Sequence, residues 1–281
     1  MDTLTIQEKQ GSAFINRLYS NSIYLILNSG VGAGLGFFFW FLAARSTSPE
    51  EVGKGSALVS AAGLLSFFGS LGLGYGLIRF LPSSKTPVQM INHVLTVSVI
   101  ITMLLSSIFV LGIQLWNPSL DVITRNPVFV ISFIIFTTVL TMMGINSQAF
   151  VSYRRANLAA SQTLIFGLVK VGLIIVLITL FQGFGIFMSW GIGAALAVII
   201  SLFIFLPRVQ SGYHPYVDFS NRNRNIYKFS FINSAAEGFS NLPSWLLPLI
   251  ITKSVFSKTP LDTRYAGRTT LYHGRGREII R

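Results

Sequence analysis

The sequence predicts an all-α, polytopic membrane protein, and three observations lead to that prediction. The chain of 281 residues is 52% hydrophobic and only 11% charged, whereas soluble globular domains carry about 25% charged residues. Long apolar stretches recur along it, each of the length that an α-helix needs to cross a bilayer. Lysine and arginine accumulate in alternate connecting segments, which is typical of a fixed orientation in the membrane.

Seven segments qualify as transmembrane helices, because each offers about 20 predominantly apolar residues. They run over residues 22–44, 56–80, 93–115, 128–150, 158–181, 184–206 and 229–251. The first six define a predicted transmembrane lobe over 22–206, and the seventh span defines a separate unit over 229–252. Residues 207–228 are predicted to form a cytoplasmic loop.

The N-terminal 21 residues are predicted to form an amphipathic helix on the membrane surface. Apolar side chains between Phe14 and Tyr19 recur there at helical spacing, close to the cations Lys9 and Arg17. Such a face inserts at the interface while the charges stay in water.

The distribution of positive charge predicts the orientation. The N-terminus and the second, fourth and sixth connections hold ten Lys and Arg residues, and the first, third and fifth hold three. Since cytoplasmic loops retain the excess of cations, the N-terminus is predicted to face the cytoplasm from the inner membrane. Seven further cations then fall outside, in residues 253–281. We expect that tail to be a truncated or frame-shifted, non-native end, or else a disordered basic segment that binds headgroups.

Composition and motifs argue against several classes of function. The chain has no cysteine and three scattered histidines, so neither a metal site nor a cofactor is expected. Motifs of hydrolases, metalloproteases and phosphate-binding loops are missing, which predicts that the protein is not an enzyme. The net charge of +12 lies in loops and in the tail, so the expected partners are membrane lipids and not nucleic acid.

Lys170, near the centre of the fifth span, is the first candidate for a functional residue. An unpaired cation at that depth costs about 3 kcal/mol on insertion scales, so we expect Lys170 to face water or a partner. The functional interpretation is contact with an anionic substrate or a coupling proton. Thr163 and Gly167 share its helical face and would flank the ammonium group as a small polar groove. Snorkelling or a bond to a backbone carbonyl is the structural alternative.

The seventh span carries the second candidate, Glu237. Polar residues recur at three- and four-residue steps on one face of it: Ser230, Asn233, Ser234, Glu237, Ser240, Asn241 and Ser244. Pro243 and Pro248 interrupt the same helix and free backbone carbonyls, as in transporter helices that line a cavity. A half-inserted interfacial helix is the alternative.

Other residues are weaker candidates. Asn28 is an amide in the first span, and Arg45 and Arg79 end the first and second spans on opposite sides, where each alone would be an interface anchor. The glycine pairs 30/34, 32/36 and 72/76 have the spacing that lets helix backbones approach closely, which predicts helix packing at all three.

The first two spans and the seventh resemble those of the polysaccharide transporters and flippases of the multidrug/oligosaccharidyl-lipid/polysaccharide exporter superfamily. The resemblance is carried by AAR at 43–45, PEEVG at 49–53, the Ser-Ala-Leu that begins at Ser56, GLIRFLP at 76–82 and NLPSWLLPLII at 241–251. The likeness extends over about residues 17–252.

The resemblance implies a MATE-like fold of two six-helix lobes around a cavity that opens alternately to each side. This chain would supply the first lobe and the opening helix of the second. The implied function is translocation of a lipid-linked oligosaccharide for surface polysaccharide assembly, such as O-antigen or exopolysaccharide. Polysaccharide polymerase and glycosyltransferases would be further partners.

On this reading Lys170, Arg45, Arg79 and Asn28 would bind the substrate, and Glu237 would be the coupling-ion site. The alternatives are a cation-coupled multidrug antiporter of the same superfamily and a truncated membrane scaffold without transport.

Overall fold

The computed structural model describes the backbone of residues 2–124, 126–220 and 224–256, and side chains from residue 22 onward except 116, 118–119, 122, 125, 221–224, 237, 241 and 254–281. The described chain is helical and contains no strand. The α-helices are α1 (Asp2–Ser46), α2 (Pro49–Ser70), α3 (Leu73–Phe80), α4 (Pro87–Leu111), α5 (Ile113–Trp116), α6 (Pro127–Ser152), α7 (Ala156–Phe181), α8 (Gly183–Ile200), α9 (Leu206–Val209) and α10 (Arg224–Phe256). Short 3₁₀ turns cover Leu81–Ser83 and Pro118–Ile123, and a π-helical turn covers Ser201–Phe205.

Six helical segments in the described chain are long and apolar enough to cross a membrane: Ser22–Ser46, Pro49–Ser70, Pro87–Leu111, Pro127–Ser152, Ala156–Phe181 and Gly183–Val209. The predicted all-α membrane bundle is therefore confirmed. The predicted seventh span falls in α10, where a shorter apolar stretch, Leu242–Lys253, meets the composition of a membrane helix. Because the side chains of residues 237 and 241, within the predicted span 229–251, are outside the described set, that span stays a prediction.

Residues 2–21 continue into the first predicted span as one helix, α1, and their location along the membrane surface stays a prediction. The predicted non-native tail lies almost entirely outside the described residues, which end at 256.

The even-numbered connections meet at one end of the bundle. Asn92, at the start of α4, donates a hydrogen bond from Nδ2 to the His214 carbonyl over 2.9 Å. The Tyr153 hydroxyl, between α6 and α7, donates to Oε1 of Gln210 over 2.8 Å. The second, fourth and sixth connections thus lie together, as alternating antiparallel spans require.

The odd-numbered connections meet at the opposite end. Glu51, in the first turn of α2, accepts a 2.7 Å hydrogen bond on Oε2 from the backbone N–H of Gly183, at the start of α8. The N-cap hydroxyl of Ser48 accepts a bond from the Glu51 N–H, and Lys54 pairs with Glu51 at 3.0 Å. A carboxylate at a helix N-terminus accepts hydrogen bonds from N–H groups that have no partner within the helix. Its negative charge is also stabilised by the positive end of the helix dipole. Glu51 therefore holds the first and fifth connections together.

α2 is the central helix of the bundle and packs against α4, α6, α8 and α10, whereas α1 packs chiefly against α7. Two apolar cores flank α2. One includes Leu77, Ile91 and Phe150 near the even-numbered connections, and the other includes Phe133 and Phe184 near the odd-numbered ones. The bundle therefore has a packed interior at both ends.

The second predicted span, residues 56–80, is not a single helix. α2 ends at Ser70, Leu71 and Gly72 take left-handed backbone angles with φ of 48° and 65°, and α3 begins at Leu73. Glycine adopts this conformation without the steric penalty of a Cβ atom. The span therefore bends at Leu71 and Gly72, which hydropathy alone does not reveal.

The three predicted glycine pairs differ in whether they contact a neighbouring helix. A methyl group added to Gly72 or Gly76 would meet Ser230 of α10, so the predicted helix contact at this pair is confirmed. On α1, however, nothing lies within 4 Å of a methyl group at Gly30, Gly34 or Gly36. The prediction of helix packing is therefore wrong for these three glycines, whereas a methyl group on Gly32 would lie 3.5 Å from the Thr163 side chain of α7.

The absence of native cysteine makes the orientation directly measurable. We predict that a membrane-impermeant maleimide labels Ser46→Cys in intact cells, because Ser46 is exposed at the end of α1 that the charge distribution predicts to face outward. Ser211→Cys, exposed in the sixth connection, should react only after permeabilisation. The reverse pattern would contradict the predicted cytoplasmic N-terminus.

The bend between α2 and α3 should be sensitive to a single methyl group. Gly72→Ala places a Cβ in a left-handed conformation and against the side chain of Ser234, a combination that costs about 2–5 kcal/mol. Gly36→Ala, on the open face of α1, is the matched control and should be neutral or slightly stabilising. Thermal unfolding in detergent measures the stability of both variants. Equal melting temperatures would contradict a bend that requires glycine at this position.

Candidate functional site

Lys170 of α7 lies in an aromatic cage built from three helices. Its side chain is only 4% exposed. The ammonium Nζ lies 4.2 Å from the ring centre of Trp190 on α8, 4.4 Å from Phe166 on α7 and 5.2 Å from Phe39 on α1. Cation–π contacts of this kind are worth about 2 kcal/mol or more when the cation is desolvated. The rings therefore shield the cation from lipid.

The expected polar groove beside Lys170 is not present. Gly167 packs against Leu35 of α1, and the Thr163 methyl group lies 3.5 Å from where a Cβ on Gly32 would stand. This face of α7 therefore forms the contact with α1. The expectation that Lys170 faces water is wrong for this conformation, and a ligand would reach it only if α1, α7 and α8 separated.

A polar cavity of about 280 Å³ opens at the end where the even-numbered connections meet. Lys85, Thr86 and Gln89 line it at the start of α4, together with His93 one turn deeper. Ser83, Ser84 and Ser220 add hydroxyl groups. A cation and several hydroxyls that converge in one cavity suit an anionic group. Sequence reasoning missed this cavity because its lining comes from three segments.

His93 joins α4, the sixth connection and α10 at the wall of this cavity. Its Nε2 lies 2.6 Å from the Tyr227 hydroxyl, and its Nδ1 lies 3.2 Å from the Asp218 carbonyl. Burial raises the pKa of the Asp218 carboxyl, but hydrogen bonds from Ser220 outweigh that effect and leave the pKa below its usual value. Asp218 therefore stays ionised near neutral pH beside the cavity.

A second cavity, of about 200 Å³, lies at the bend between α2 and α3. Hydroxyl groups of three helices connect beside it, since Oγ1 of Thr141 lies 3.0 Å from both Oγ of Ser66 and Oγ1 of Thr102. Trp245 of α10 covers one side, and its ring centre lies 4.9 Å from that of Phe67. This cavity is lined by hydroxyl groups and an amide together with aromatic rings, and it lies between membrane-length helices.

The remaining predicted site residues do not converge on one site. Arg45 and Arg79 are both exposed, at opposite ends of the bundle. The guanidinium of Arg79 lies 4.8 Å from the ring centre of Phe229 on α10, and that of Arg45 lies 5.0 Å from Phe41. Asn28 has a buried Oδ1 without a hydrogen-bond partner. The side chain of Glu237 lies outside the described residues.

The polar face of the seventh span divides into two parts. Ser230 and Ser234 have buried hydroxyls without hydrogen-bond partners and pack against the bend at Gly72, whereas Ser240 and Ser244 are exposed. The first part thus holds α10 against α2 and α3. Within the described side chains, no three His, Cys, Asp or Glu residues come together as metal ligands.

Comparison with known proteins gives one match. A family model described as polysaccharide biosynthesis protein matches residues 18–252. This range includes the six membrane-length helices and most of α10. Neither a curated protein nor a solved structure gives a significant match.

The aromatic cage predicts an energetic coupling between Lys170 and Trp190. In a double-mutant cycle of Lys170→Met and Trp190→Leu, we expect a coupling of about 1–2 kcal/mol, because each change removes the same cation–π contact. Unfolding of the protein in bilayer discs measures it. Phe37→Leu, which changes an exposed ring on α1, is the control and should not couple to Lys170. Strictly additive effects of the Lys170 and Trp190 changes would contradict the cage.

Proposed function

The chain belongs to the polysaccharide biosynthesis protein family, and on that premise we propose that it translocates a lipid-linked oligosaccharide across the cell membrane by alternating access. The family match over residues 18–252 is the observation that carries the proposal. It is supported by the polar cavities within a bundle of membrane-length helices. The glycan would serve surface polysaccharide assembly, such as O-antigen or exopolysaccharide, next to the polymerase and glycosyltransferases of that process.

The cavity near Lys85 suits the anionic end of such a substrate. A lipid-linked glycan carries a phosphate or pyrophosphate between its lipid and its sugars. Lys85 and the surrounding hydroxyls would donate hydrogen bonds to those oxygens. His93, whose two ring nitrogens already contact Asp218 and Tyr227, would hold the wall of the cavity in place. Arg79 lies at the same end of the bundle, and Arg45 lies at the opposite end, where the headgroup would leave. The charge distribution predicts that the Lys85 end of the bundle faces the cytoplasm, with the protein in the inner membrane.

The movement that we propose is conformational and makes or breaks no covalent bond. The bend at Gly72 and the small residues that contact α10 there would let α10 and α3 change their angle to α2. Glu237, in the predicted seventh span, would bind a proton or cation that favours one of the two open states. Lys170 would contact substrate only in a state where its aromatic cage is open.

A cation-coupled drug antiporter is less well supported. A cationic substrate requires acidic groups in its cavity. The described lining of both cavities includes no Asp or Glu, and the Asp218 carboxylate beside the first is already bonded to the backbone N–H of Ser220. The basic and hydroxyl lining near Lys85 favours an anionic substrate.

The proposed function predicts that the chain restores surface polysaccharide to a strain that lacks its flippase. We expect Lys85→Gln to reduce restoration, because it removes the cation of the cavity, and to leave lipid-linked glycan accumulated in the membrane. Lys228→Gln neutralises an exposed lysine outside the described cavity lining and is the matched control. If the unchanged chain inserted correctly into the membrane and still failed to restore surface polysaccharide, the proposal would be contradicted.

A further inference from the structure

The second cavity lies where the helical span is interrupted, at the bend between α2 and α3. It is bounded by α2, the bend, α6 and α10. Non-helical backbone at membrane depth is tolerated where it is buried in protein or lines an aqueous cavity, and transporters bind substrates at such interruptions. The position of this cavity is thus that of a ligand site.

The polar groups of the cavity are uncharged. The lining includes the hydroxyls of Ser66, Ser70 and Thr141, which also hydrogen-bond within the protein, and the amide of Gln148. None of the described lining residues is Asp, Glu, Lys, Arg or His. Hydroxyl and amide groups both donate and accept hydrogen bonds, which matches a ligand whose own groups do the same. An isolated phosphate would find no cation here.

Aromatic rings form the other part of the lining. Trp245 and Phe67 lie side by side, and Tyr75 lines the cavity from α3. A pyranose ring has apolar C–H faces and a rim of hydroxyls, so it packs on aromatic faces while its rim makes hydrogen bonds. The combination of aromatic walls and neutral polar groups therefore fits a sugar better than a lipid chain or an anion.

Glycine keeps the space of the cavity open. A methyl group added to Gly144 of α6, in the cavity lining, would have no atom within 4 Å. By contrast, a methyl group on Gly63 would lie 3.1 Å from Nε1 of Trp245. The room beside Gly144 is thus unoccupied by protein, and Gly63 lets the indole lie close against α2.

A neighbouring groove has the opposite character. Phe67 also borders a groove that includes Leu71, Phe231, Phe239 and Leu242 and is almost wholly apolar. The Phe67 ring thus separates an apolar surface, suited to lipid chains, from the hydroxyl-rich cavity. This separation argues that the cavity takes the hydrophilic part of an amphipathic ligand.

We propose that the cavity beside Gly144 and Trp245 is a binding site for an uncharged sugar ring, separate from the anion-binding cavity near Lys85. The inference rests on the proposed function, since the sugar would be part of the lipid-linked glycan. It assigns recognition of the glycan to neutral residues, and charge recognition to the other end of the bundle.

A fluorescence titration in bilayer discs tests this site without requiring transport. The probes are methyl glycosides of glucose, galactose, rhamnose and N-acetylglucosamine, with inorganic pyrophosphate as the anionic comparison. The signal of Trp245 is the difference between the chain and Trp245→Phe. We expect saturable quenching by at least one glycoside and none by pyrophosphate. Gly144→Phe, which fills the cavity, should abolish the response.

Gly172→Phe is the matched control, because Gly172 of α7 is exposed and an added methyl group there would have no atom within 4 Å. It should bind the glycoside as the unchanged chain does. No response to any glycoside, or an equal response in Gly144→Phe, would overturn the sugar site. In the flippase-deficient strain, Gly144→Phe should block surface polysaccharide while Gly172→Phe restores it. If the unchanged chain failed there, transport would be refuted and the titration would still decide the cavity.

Discussion

The structure depends on one constraint, that backbone N–H and C=O groups inside lipid must find partners within the protein. Helices meet it internally, so the described chain is built from them and connected by short segments at the two ends. The constraint is relaxed only where protein encloses the backbone. Leu71 and Gly72 interrupt a span at such a place, with α10 packed over them, and a hydroxyl-lined cavity lies beside the interruption.

Much of this architecture follows from the order of residues. Apolar length predicted six spans that the structure confirms, and the alternation of cations predicted the two groups of connections that the contacts of Asn92 and Glu51 bring together. Apolar length and the number of cations in a connection are properties of short segments, so a single sequence is sufficient to recognise them. The contact at Gly72 and Gly76 was predicted from their spacing, although Gly72 precedes α3 and does not belong to the helix that holds Gly76.

Features that depend on which helices are neighbours were not predictable. The cage around Lys170 takes one ring from α1 and one from α8, and nothing near Lys170 indicates that these rings will meet it. Gly30 and Gly34 have the same spacing as Gly72 and Gly76, yet they face outward because the orientation of α1 is set by its contact with α7. The cavity near Lys85 likewise exists only once α4, the sixth connection and α10 have come together.

The shielding of Lys170 also has a consequence for biosynthesis. A chain enters the membrane from its N-terminus as the ribosome extends it, so Phe39 is already in the bilayer when the helix of Lys170 emerges, whereas Trp190 is still to be made. In that interval the cation has Phe39 and Phe166 but lacks the nearest of its rings. Trp190 completes the cage only when α8 has been made and has packed against α7, so full shielding of Lys170 depends on the helix that follows it in the sequence.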